Sequence, residues 1–382
     1  MNVHSGNNIE IREVTDKKAL KTFIRIPWSI YKDDPSWIPP LLMERKEALS
    51  SKHPYFKHAI WRAWVAYKDG KPVGRISAQI DDLHQQRYKN KTGFFGLIEA
   101  PDDDEVFSAL FETAENWLRE KGIRQIAGPF NLGINQEIGI LTEGFDTPPC
   151  VMTSHSARYY GAAIERCGYQ PAQELLAYEV DIHSYTTPSS MDELISRTAD
   201  RVKVRQLNRK AMEADFEKMR EIFNDAWQDN WNFVPFTREE FRTVGKELLM
   251  VVPDEFLQIA EIDGEPAAFI AMLPDINSVI ADLNGRLLPF GWAKLIWRLK
   301  VGFPKRCRIA LMGVRKKYQN TIFGPAMAYM VVESVFVPGL SRGSETVELS
   351  WILEQNKPTR NIIEKFGGKI TKRYHMYEKS LV

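Results

Sequence analysis

Apolar runs with strand-like alternation recur along the chain, and two of the turns between them share one design. Each of two Asp-Gly dipeptides, at 69–70 and 263–264, separates a pair of partly alternating apolar runs. The runs are RAWVAY (62–67) and VGRISAQI (73–80) around the first dipeptide, and FLQIAEI (256–262) and AAFIAML (267–273) around the second. Such runs on both sides of Asp-Gly are typical of a β-hairpin, so the pattern predicts one hairpin in each half.

Other landmarks repeat in the same order around these hairpins. IEIREV (9–14) corresponds to VKVRQL (202–207), ERCGYQ (165–170) to EKFGGK (364–369), and LAYEV (176–180) to HMYEK (375–379). Similar segments in the same order predict that one fold occurs twice. A chain of 382 residues is also longer than a single hydrophobic core usually spans.

The remaining periodic segments place the same elements in both halves. A polar stretch with a Thr-Thr-Pro-Ser-Ser cluster (183–201) indicates a linker, so we predict domains at 1–185 and 200–382. Within each half the pattern predicts a strand, helices, the hairpin, a strand, a helix, a strand, a helix and a closing strand. We therefore expect an α/β (α+β) fold in which each domain has a mixed central sheet flanked by helices.

Composition excludes several function classes. A net charge of +1 gives no overall attraction to nucleic acid, so no nucleic-acid partner is expected. The cysteines Cys150, Cys167 and Cys307 have no ligand-like spacing, and neither do the seven histidines, so no metal site is expected. MNVHSGNNIE lacks the apolar region of a signal peptide, and no run approaches 18 apolar residues. We expect a cytoplasmic protein.

The segment ELSWILEQNKPTRNIIEKFGGKITKRYHMYEKSL (348–381) resembles the C-terminal motif of the GCN5-related N-acetyltransferase (GNAT) superfamily. The matching positions are Asn356, Glu364, Lys365 and Gly367, with Gly368 in place of the usual Phe. Two further blocks, 128–149 and 224–237, resemble a bacterial subfamily of tandem acyltransferase-like proteins. The resemblance covers nearly the whole chain and implies two tandem GNAT-like acyl-CoA N-acyltransferase domains.

In that superfamily the pyrophosphate of acyl-CoA or acetyl-CoA is held by a Gln/Arg-X-X-Gly-X-Gly/Ala loop at a helix N-terminus. The matching stretch here is GVRKKYQNTIFGPAM (313–327), with Thr321 where Gln or Arg is expected. The resemblance implies these donor-binding residues: Gly313, Val314, Thr321, Ile322, Phe323, Gly324, Ala326 and Asn356. The alternative interpretation is an ordinary solvated basic turn before a helix.

The first half departs from this loop pattern. Its stretch EAPDDDEVF (99–107) has no glycine and carries five carboxylates, which would repel a pyrophosphate. Acids at a helix N-terminus instead complement the helix dipole. We therefore expect the donor to bind the second half.

N-acyl transfer needs a deprotonated amine, a stabilised oxyanion and a proton for the leaving thiolate. The superfamily's oxyanion donor lies beside a strand bulge, which would be near Met312–Val314, with Gly313 as a natural bulge residue. The tyrosine that acts as the superfamily's general acid corresponds to Ile363 in the second half and to Ile164 in the first. This general acid is therefore absent from both halves.

Other side chains are candidates for the proton transfers. Glu348 and Glu354, on or just after the strand that faces the thioester, are candidates for the base. Tyr374 and Tyr377 are candidates for the acid. The alternatives are solvated carboxylates and half-buried aromatic residues on a closing strand.

The segment 284–306 combines aromatic, apolar and basic residues. Trp292, Leu295, Ile296 and Leu299 would share one helical face, and the pair Lys294/Arg298 the other. One interpretation is an amphipathic helix that covers the core, and the other is a helix that lies on a lipid surface.

These observations predict transfer of an acyl group from a thioester, acyl-CoA or an acyl carrier protein, to an amine. A lipidic amine is preferred, because the chain also resembles bacterial enzymes that N-acylate long-chain amino lipids such as sphingoid bases. Two alternatives stay open: a non-catalytic binding or regulatory protein built from a decayed acyltransferase, and an aminoacyl-tRNA-dependent peptide aminoacyltransferase.

Overall fold

A computed structural model describes residues 9–382, so most of the N-terminal stretch used to predict the absence of a signal peptide lies outside the described residues. The chain divides into two units. The first comprises the chain up to Leu175 together with Leu283–Arg286 and Lys372–Val382. The second comprises Leu176–Asp282 and Leu287–Thr371.

The elements follow the predicted order closely. The strands are β1 (Ile9–Glu13), β2 (Ala59–Lys68), β3 (Lys71–Asp81), β4 (Thr92–Glu99), β5 (Gln125–Gly128), β6 (Ile140–Glu143), β7 (Gln170–Asp181), β8 (Val202–Gln206), β9 (Leu257–Ile262), β10 (Glu265–Pro274), β11 (Arg306–Val314), β12 (Thr346–Leu353) and β13 (Lys369–Ser380). The helices are α1 (Lys17–Arg25), α2 (Pro27–Ile30), α3 (Leu42–Ala48), α4 (Asp82–Tyr88), α5 (Asp104–Glu120), α6 (Tyr160–Arg166), α7 (Ser189–Thr198), α8 (Met212–Trp227), α9 (Arg238–Leu248), α10 (Ile276–Ile280), α11 (Gly291–Lys300), α12 (Lys316–Gln319), α13 (Phe323–Ser341) and α14 (Lys357–Lys365).

The two units repeat one strand arrangement. Strands β1 to β4 pair antiparallel in chain order, and β4 then pairs parallel with β5. Strands β8 to β11 and the parallel pair β11/β12 do the same in the second unit. Both Asp-Gly turns have positive φ at Asp and Gly, as a type I′ hairpin turn requires. The predicted hairpins, duplication and mixed α/β fold are confirmed.

The units do not follow a single cut along the chain. Strands β7 and β13 each begin in one unit and end in the other. The end of β13 pairs with β5, with Tyr377 opposite Gly128. The division at 1–185 and 200–382 stays a prediction of domain limits. Strand pairing between residues so distant in sequence could not be foreseen, because it leaves no local pattern in the sequence.

Each parallel pair is joined through a helix that packs into its unit's core. Helix α5 carries Asp103 as its N-cap, whose carboxylate accepts from the amides of Glu105 and Val106, so the acids of the first-half loop stabilise a helix start as predicted. Helix α13 is the one described helix long and apolar enough to cross a membrane by length and composition. Its buried side chains, among them Met327 and Val331, pack in the core of the second unit.

The parallel strands of the first unit part early, and the gap is filled by the chain itself. Strand β4 pairs with β5 only from Thr92 to Phe94. The chain after β5 then turns into the gap, where the Phe130 amide donates to the Phe95 carbonyl (2.8 Å). A Cβ atom on Gly96 would lie 1.9 Å from the Phe130 carbonyl oxygen, so only glycine permits this approach.

Buried polar contacts hold this filling segment. The Gln79 amide donates to the carbonyls of Phe130 (2.7 Å) and Leu132 (2.9 Å). The Leu97 amide, at a bulge with positive φ, donates to the Asn131 side chain (2.8 Å). The bulge donor that the GNAT resemblance would assign to an oxyanion is therefore occupied in the first unit.

We expect Gln79→Met to loosen the filling segment, because it leaves two buried carbonyls without their donor at about 1–3 kcal/mol each. Hydrogen exchange followed by mass spectrometry should show faster exchange, by at least about tenfold, over residues 129–139. Gln86→Met, on the exposed side of α4, is the control and should leave exchange there unchanged. Unchanged protection in Gln79→Met would contradict the role given to this side chain.

Candidate active site

In the second unit the parallel strands β11 and β12 also pair briefly and then part. The pairing joins Arg306–Ile309 to Thr346–Leu349, and both strands continue beyond it. At the parting point β11 bulges, since Ala271 faces Leu311 while Met272 faces Ile309, which makes Ala310 the extra residue. This gap between β11 and β12 is called the cleft below.

A buried polar cluster lies at the base of the cleft. Arg308 and Glu348 face each other across the parallel pair, and each side chain is only 2% exposed. The Ser350 hydroxyl donates to Glu348 Oε1 (2.6 Å) and accepts from Arg308 Nε (2.8 Å). Arg308 also donates to the Ser350 carbonyl (3.0 Å) and stacks over the Trp351 ring (4.6 Å).

The buried surroundings of this cluster favour the protonated, neutral form of Glu348 more than bulk water would. Burial raises the pKa of Glu348, and the attraction of Arg308, 3.9 Å away, opposes that rise without cancelling it. A carboxylate with a raised pKa is a better proton acceptor than an ordinary glutamate. The cluster can therefore take a proton from a group that enters the cleft.

The other predicted catalytic residues do not join this cluster. Glu354 follows the end of β12 and is bound by Arg360 (3.2 Å) at the start of α14. Tyr374 and Tyr377 are buried in the first unit, opposite Leu141 and Gly128. Tyr374 and Tyr377 were assigned to the site of the second half because the closing strand that carries them lies in the second half of the sequence.

Tyr377 has a structural partner of its own. Its hydroxyl donates to Glu165 (3.5 Å), and burial raises its pKa above the usual tyrosine value. The Cβ atom of Tyr374 lies close to Gly139, since a Cβ atom added at position 139 would be 3.0 Å from it. Neither observation assigns a proton-transfer role to these two tyrosines.

The predicted donor loop satisfies its own backbone. The Lys316 amide donates to Asp225 (2.7 Å), and the Thr321 amide to the Tyr318 carbonyl (3.0 Å). The Phe323 amide donates to the Thr321 hydroxyl (3.2 Å), and the Gly324 amide to the Thr321 carbonyl (3.3 Å). These four amides already have partners, Asp225 on α8 for Lys316 and loop atoms for the other three, so they are not free to bind a pyrophosphate.

The loop's cations and its glycine also have local partners. Arg315 pairs with Glu221 (3.1 Å), Lys317 with Glu265 (2.6 Å), and Lys316 with Asp229. A Cβ atom on Gly324 would lie 2.6 Å from the Tyr318 carbonyl oxygen and 2.7 Å from that of Gln319. Gly324 therefore permits close packing of α13 on the α12 backbone.

The remaining predicted donor residues have the following surroundings. Ile322 is exposed at the start of α13, Phe323 lies under the Arg201 guanidinium (4.8 Å), and Ala326 is buried. Val314 is half-buried and pairs with Ala268, and the Asn356 side chain caps α14 by accepting from the Thr359 amide (3.3 Å). Ile363, where the superfamily has its Tyr, is a buried apolar side chain.

The predicted bulge at Gly313 is wrong. Gly313 pairs regularly with Phe269, and the extra residue is Ala310. Glycine at 313 is explained by helix packing, since a Cβ there would lie 3.1 Å from Ala226 on α8. On the same helix, Trp227 donates its indole N–H to the Met312 carbonyl (2.8 Å).

The first unit contains a second buried polar cluster that the sequence pattern did not reveal. Glu99 accepts from the hydroxyls of Tyr31 and Tyr160 (both 2.7 Å) and lies 3.5 Å from Arg75. Burial raises the pKa of Glu99, and Arg75 opposes that rise. The available signal was one charge in an otherwise uncharged run: Arg75 in VGRISAQI (73–80) and Glu99 in TGFFGLIE (92–99). Arg308 in CRIALMGV (307–314) gave the same signal in the second unit.

The chain is similar to proteins of known sequence and structure. No family model matches it. It is 49% identical to Protein YghO of Escherichia coli (strain K12) over 97% of this chain and 95% of that protein. It is 43% identical to the bacterial ceramide synthase of Caulobacter vibrioides over 98% of both chains. A solved structure of a tandem GNAT protein from the clavulanic acid biosynthesis pathway aligns over 98% of this chain and 99% of that chain, with 11% identity and a TM-score of 0.58.

We expect Gly324→Ala to destabilise the second unit by about 1–3 kcal/mol, because the added methyl group would overlap two main-chain carbonyls. A Gly→Ala substitution at a helical position with open space would instead increase the free energy of unfolding. Gly302→Ala is the control, since its Cβ would meet only the Arg298 carbonyl at 3.8 Å. Thermal unfolding of both variants distinguishes the cases, and a Gly324→Ala protein as stable as wild type would contradict the packing role.

Proposed function

We propose that this chain, which belongs to the family of Protein YghO and the bacterial ceramide synthase and has the tandem GNAT fold, transfers an acyl group from a thioester to the amine of a long-chain amino lipid. The observation that carries the proposal is 43% identity to the protein named bacterial ceramide synthase over 98% of both chains. A ceramide is the amide of a fatty acid and a long-chain amino alcohol. The amine acceptor would therefore be a sphingoid-type base.

The cleft residues can be assigned to the steps of this reaction. The amine nitrogen attacks the thioester carbonyl carbon, and the C–S bond breaks when the tetrahedral intermediate collapses. Glu348 takes the proton that the nitrogen loses, directly or through water. The departing thiolate then takes a proton from the Glu348 acid through water and leaves as a thiol, which restores the carboxylate. Arg308 and Ser350 are positioning residues, because they hold the Glu348 carboxylate.

Backbone at the Ala310 bulge is the proposed oxyanion donor. A bulge takes backbone groups out of the ladder, and this one lies one residue beyond the last β11/β12 pair. An amide aimed at the developing oxyanion typically contributes a factor of about 10²–10³ to kcat.

The thioester donor would lie along the part of β11 beyond that pairing. Because the loop backbone is satisfied internally, phosphate recognition would depend on the side chains of Arg315, Lys316 and Lys317. Their partners are surface acids, and exposed ion pairs of this kind contribute only about 0–1 kcal/mol each. A pyrophosphate can therefore compete for these cations, and a carrier-bound acyl group would not need them.

Two alternatives lead to different results. The loop's internal hydrogen bonds and the buried Ile363 favour a decayed, non-catalytic module, which would bind a thioester without turnover. A peptide aminoacyltransferase would require aminoacyl-tRNA and would ignore acyl thioesters.

We expect Glu348→Gln to lower kcat/KM by about 10²–10⁴, the usual contribution of a general base. The amide keeps an acceptor for Ser350 and resembles the protonated acid that burial already favours, so the fold should persist. The assay supplies palmitoyl-CoA and sphinganine and measures the amide by mass spectrometry. Glu354→Gln is the matched control and should stay within about threefold of wild type, as expected for an exposed ion pair.

Binding is measured separately from turnover. Donor at about 100 times its Kd should raise the stability of both wild type and Glu348→Gln by about 2.7 kcal/mol in thermal shift. Binding without turnover by wild type would support the non-catalytic module. Turnover with an acyl carrier protein but not with CoA thioesters would identify the donor, and full activity in Glu348→Gln would remove this residue as the base.

We also expect an acidic limb in the pH profile of kcat/KM that lies above the ordinary glutamate pKa. Burial raises the pKa of Glu348 from its usual 4.5, so the carboxylate is lost at a higher pH as the solution is acidified. Residual activity of Glu348→Gln should lack this limb. The absence of this limb, or a limb at or below the ordinary glutamate pKa, would contradict the assignment.

A further inference from the structure

Helix α11 and the residues on either side of it expose an unusual number of large apolar side chains. Six of them form the apolar face: Leu288 (78% exposed), Phe290 (78%), Trp292 (51%), Ile296 (46%), Trp297 (61%) and Val301 (68%). No residue of α11 is buried. Exposed apolar residues are ordinary when scattered, but two tryptophans and a phenylalanine within eight residues form a patch.

The helix is anchored by its opposite side. Leu295 and Leu299 are half-buried, and Arg298 turns inward to donate to the Val279 carbonyl and to Asp282 (2.7 Å). Lys294 pairs with the same Asp282. The apolar face expected from the sequence is therefore divided: its leucines point toward the protein, while Trp292 and Ile296 point outward.

Basic residues outnumber acids in the segment that carries the apolar face, although four of its five cations have acid partners: Lys294 and Arg298 with Asp282, Lys305 with Glu345 and Arg306 with Asp275. From Leu287 to Arg306 the chain carries five cations and no acid, although the whole protein has 51 cations and 50 acids. Lys300 lies on the outward side between Ile296 and Val301 and makes no ion pair with any residue in 9–382. Its long stem can lie along apolar groups while the ammonium reaches a phosphate.

We propose that the apolar face inserts into the interfacial region of an anionic lipid bilayer. Trp at the headgroup level, apolar side chains below it and unpaired Lys beside it are the features that interfacial helices use. A twofold dimer through this face would place Lys300 of each copy in a like-charged, apolar interface, which disfavours a second copy as the occupant. The inference concerns binding alone and stands whether or not the chain is an acyltransferase.

The test is co-sedimentation of the full chain with vesicles, without acyl donor or acceptor. We expect binding to phosphatidylcholine vesicles containing 30% phosphatidylglycerol, and a shift of Trp emission to shorter wavelength. Trp292→Ser/Trp297→Ser should weaken this binding by at least tenfold. Lys300→Glu should weaken binding to the anionic vesicles and leave the weaker binding to pure phosphatidylcholine unchanged.

The matched control is Met250→Ser, which removes an apolar side chain that is more exposed (77%) than either tryptophan and lies elsewhere in the second unit. It should bind vesicles as wild type does, and all variants should keep the wild-type unfolding temperature. Equal binding by wild type and the double Trp variant would overturn the proposal. So would failure of wild type to bind either kind of vesicle, or a vesicle-independent dimer that the double variant abolishes.

Discussion

The structure depends on two pairs of parallel strands that hold together briefly and then part. In each unit a long helix joins the two strands, and a bulge in the first strand adds a residue at or near the parting point. Backbone groups exposed by such a parting need partners, because buried N–H and C=O groups are rarely left without them. The residues that fill or line each gap therefore decide whether that unit can accept a ligand between its parallel strands.

The two units solve this problem differently. In the first unit the chain after β5 enters the gap, and Gly96 and Gly128 lack the side chains that would block it. Gln79 and Asn131 then satisfy the backbone of the filled gap. In the second unit β11 and β12 part after the Ile309/Leu349 pair, one residue beyond the buried Arg308 and Glu348. The same duplicated fold therefore has a filled gap in one copy and a gap with a polar cluster at its base in the other.

The sequence allowed the element order, the hairpins, the duplication and the GNAT fold to be predicted, because these depend on local periodicity and turn chemistry. Glu348 could be nominated as a candidate because the GNAT resemblance indicates which strand would face the thioester, and its catalytic role stays a prediction. Its distinction from Glu354 could not be predicted, since it depends on the register that places Arg308 opposite Glu348. The membership of Tyr374 and Tyr377 in the first unit and the outward face of α11 depend likewise on tertiary packing, which periodicity does not specify.

The cleft cluster is costly for a site that only needs to hold two strands together. A buried ion pair is often no more stabilising than apolar residues of the same size, because each charge loses its hydration. Here the cost shows in the raised pKa of Glu348, which Arg308 at 3.9 Å fails to offset. The predicted donor loop, by contrast, has partners for its amides and cations elsewhere in the second unit or within itself, and it packs closely through Gly324. A buried carboxylate with a raised pKa, paired with Arg308 at the base of the cleft, is the feature that stability alone does not explain.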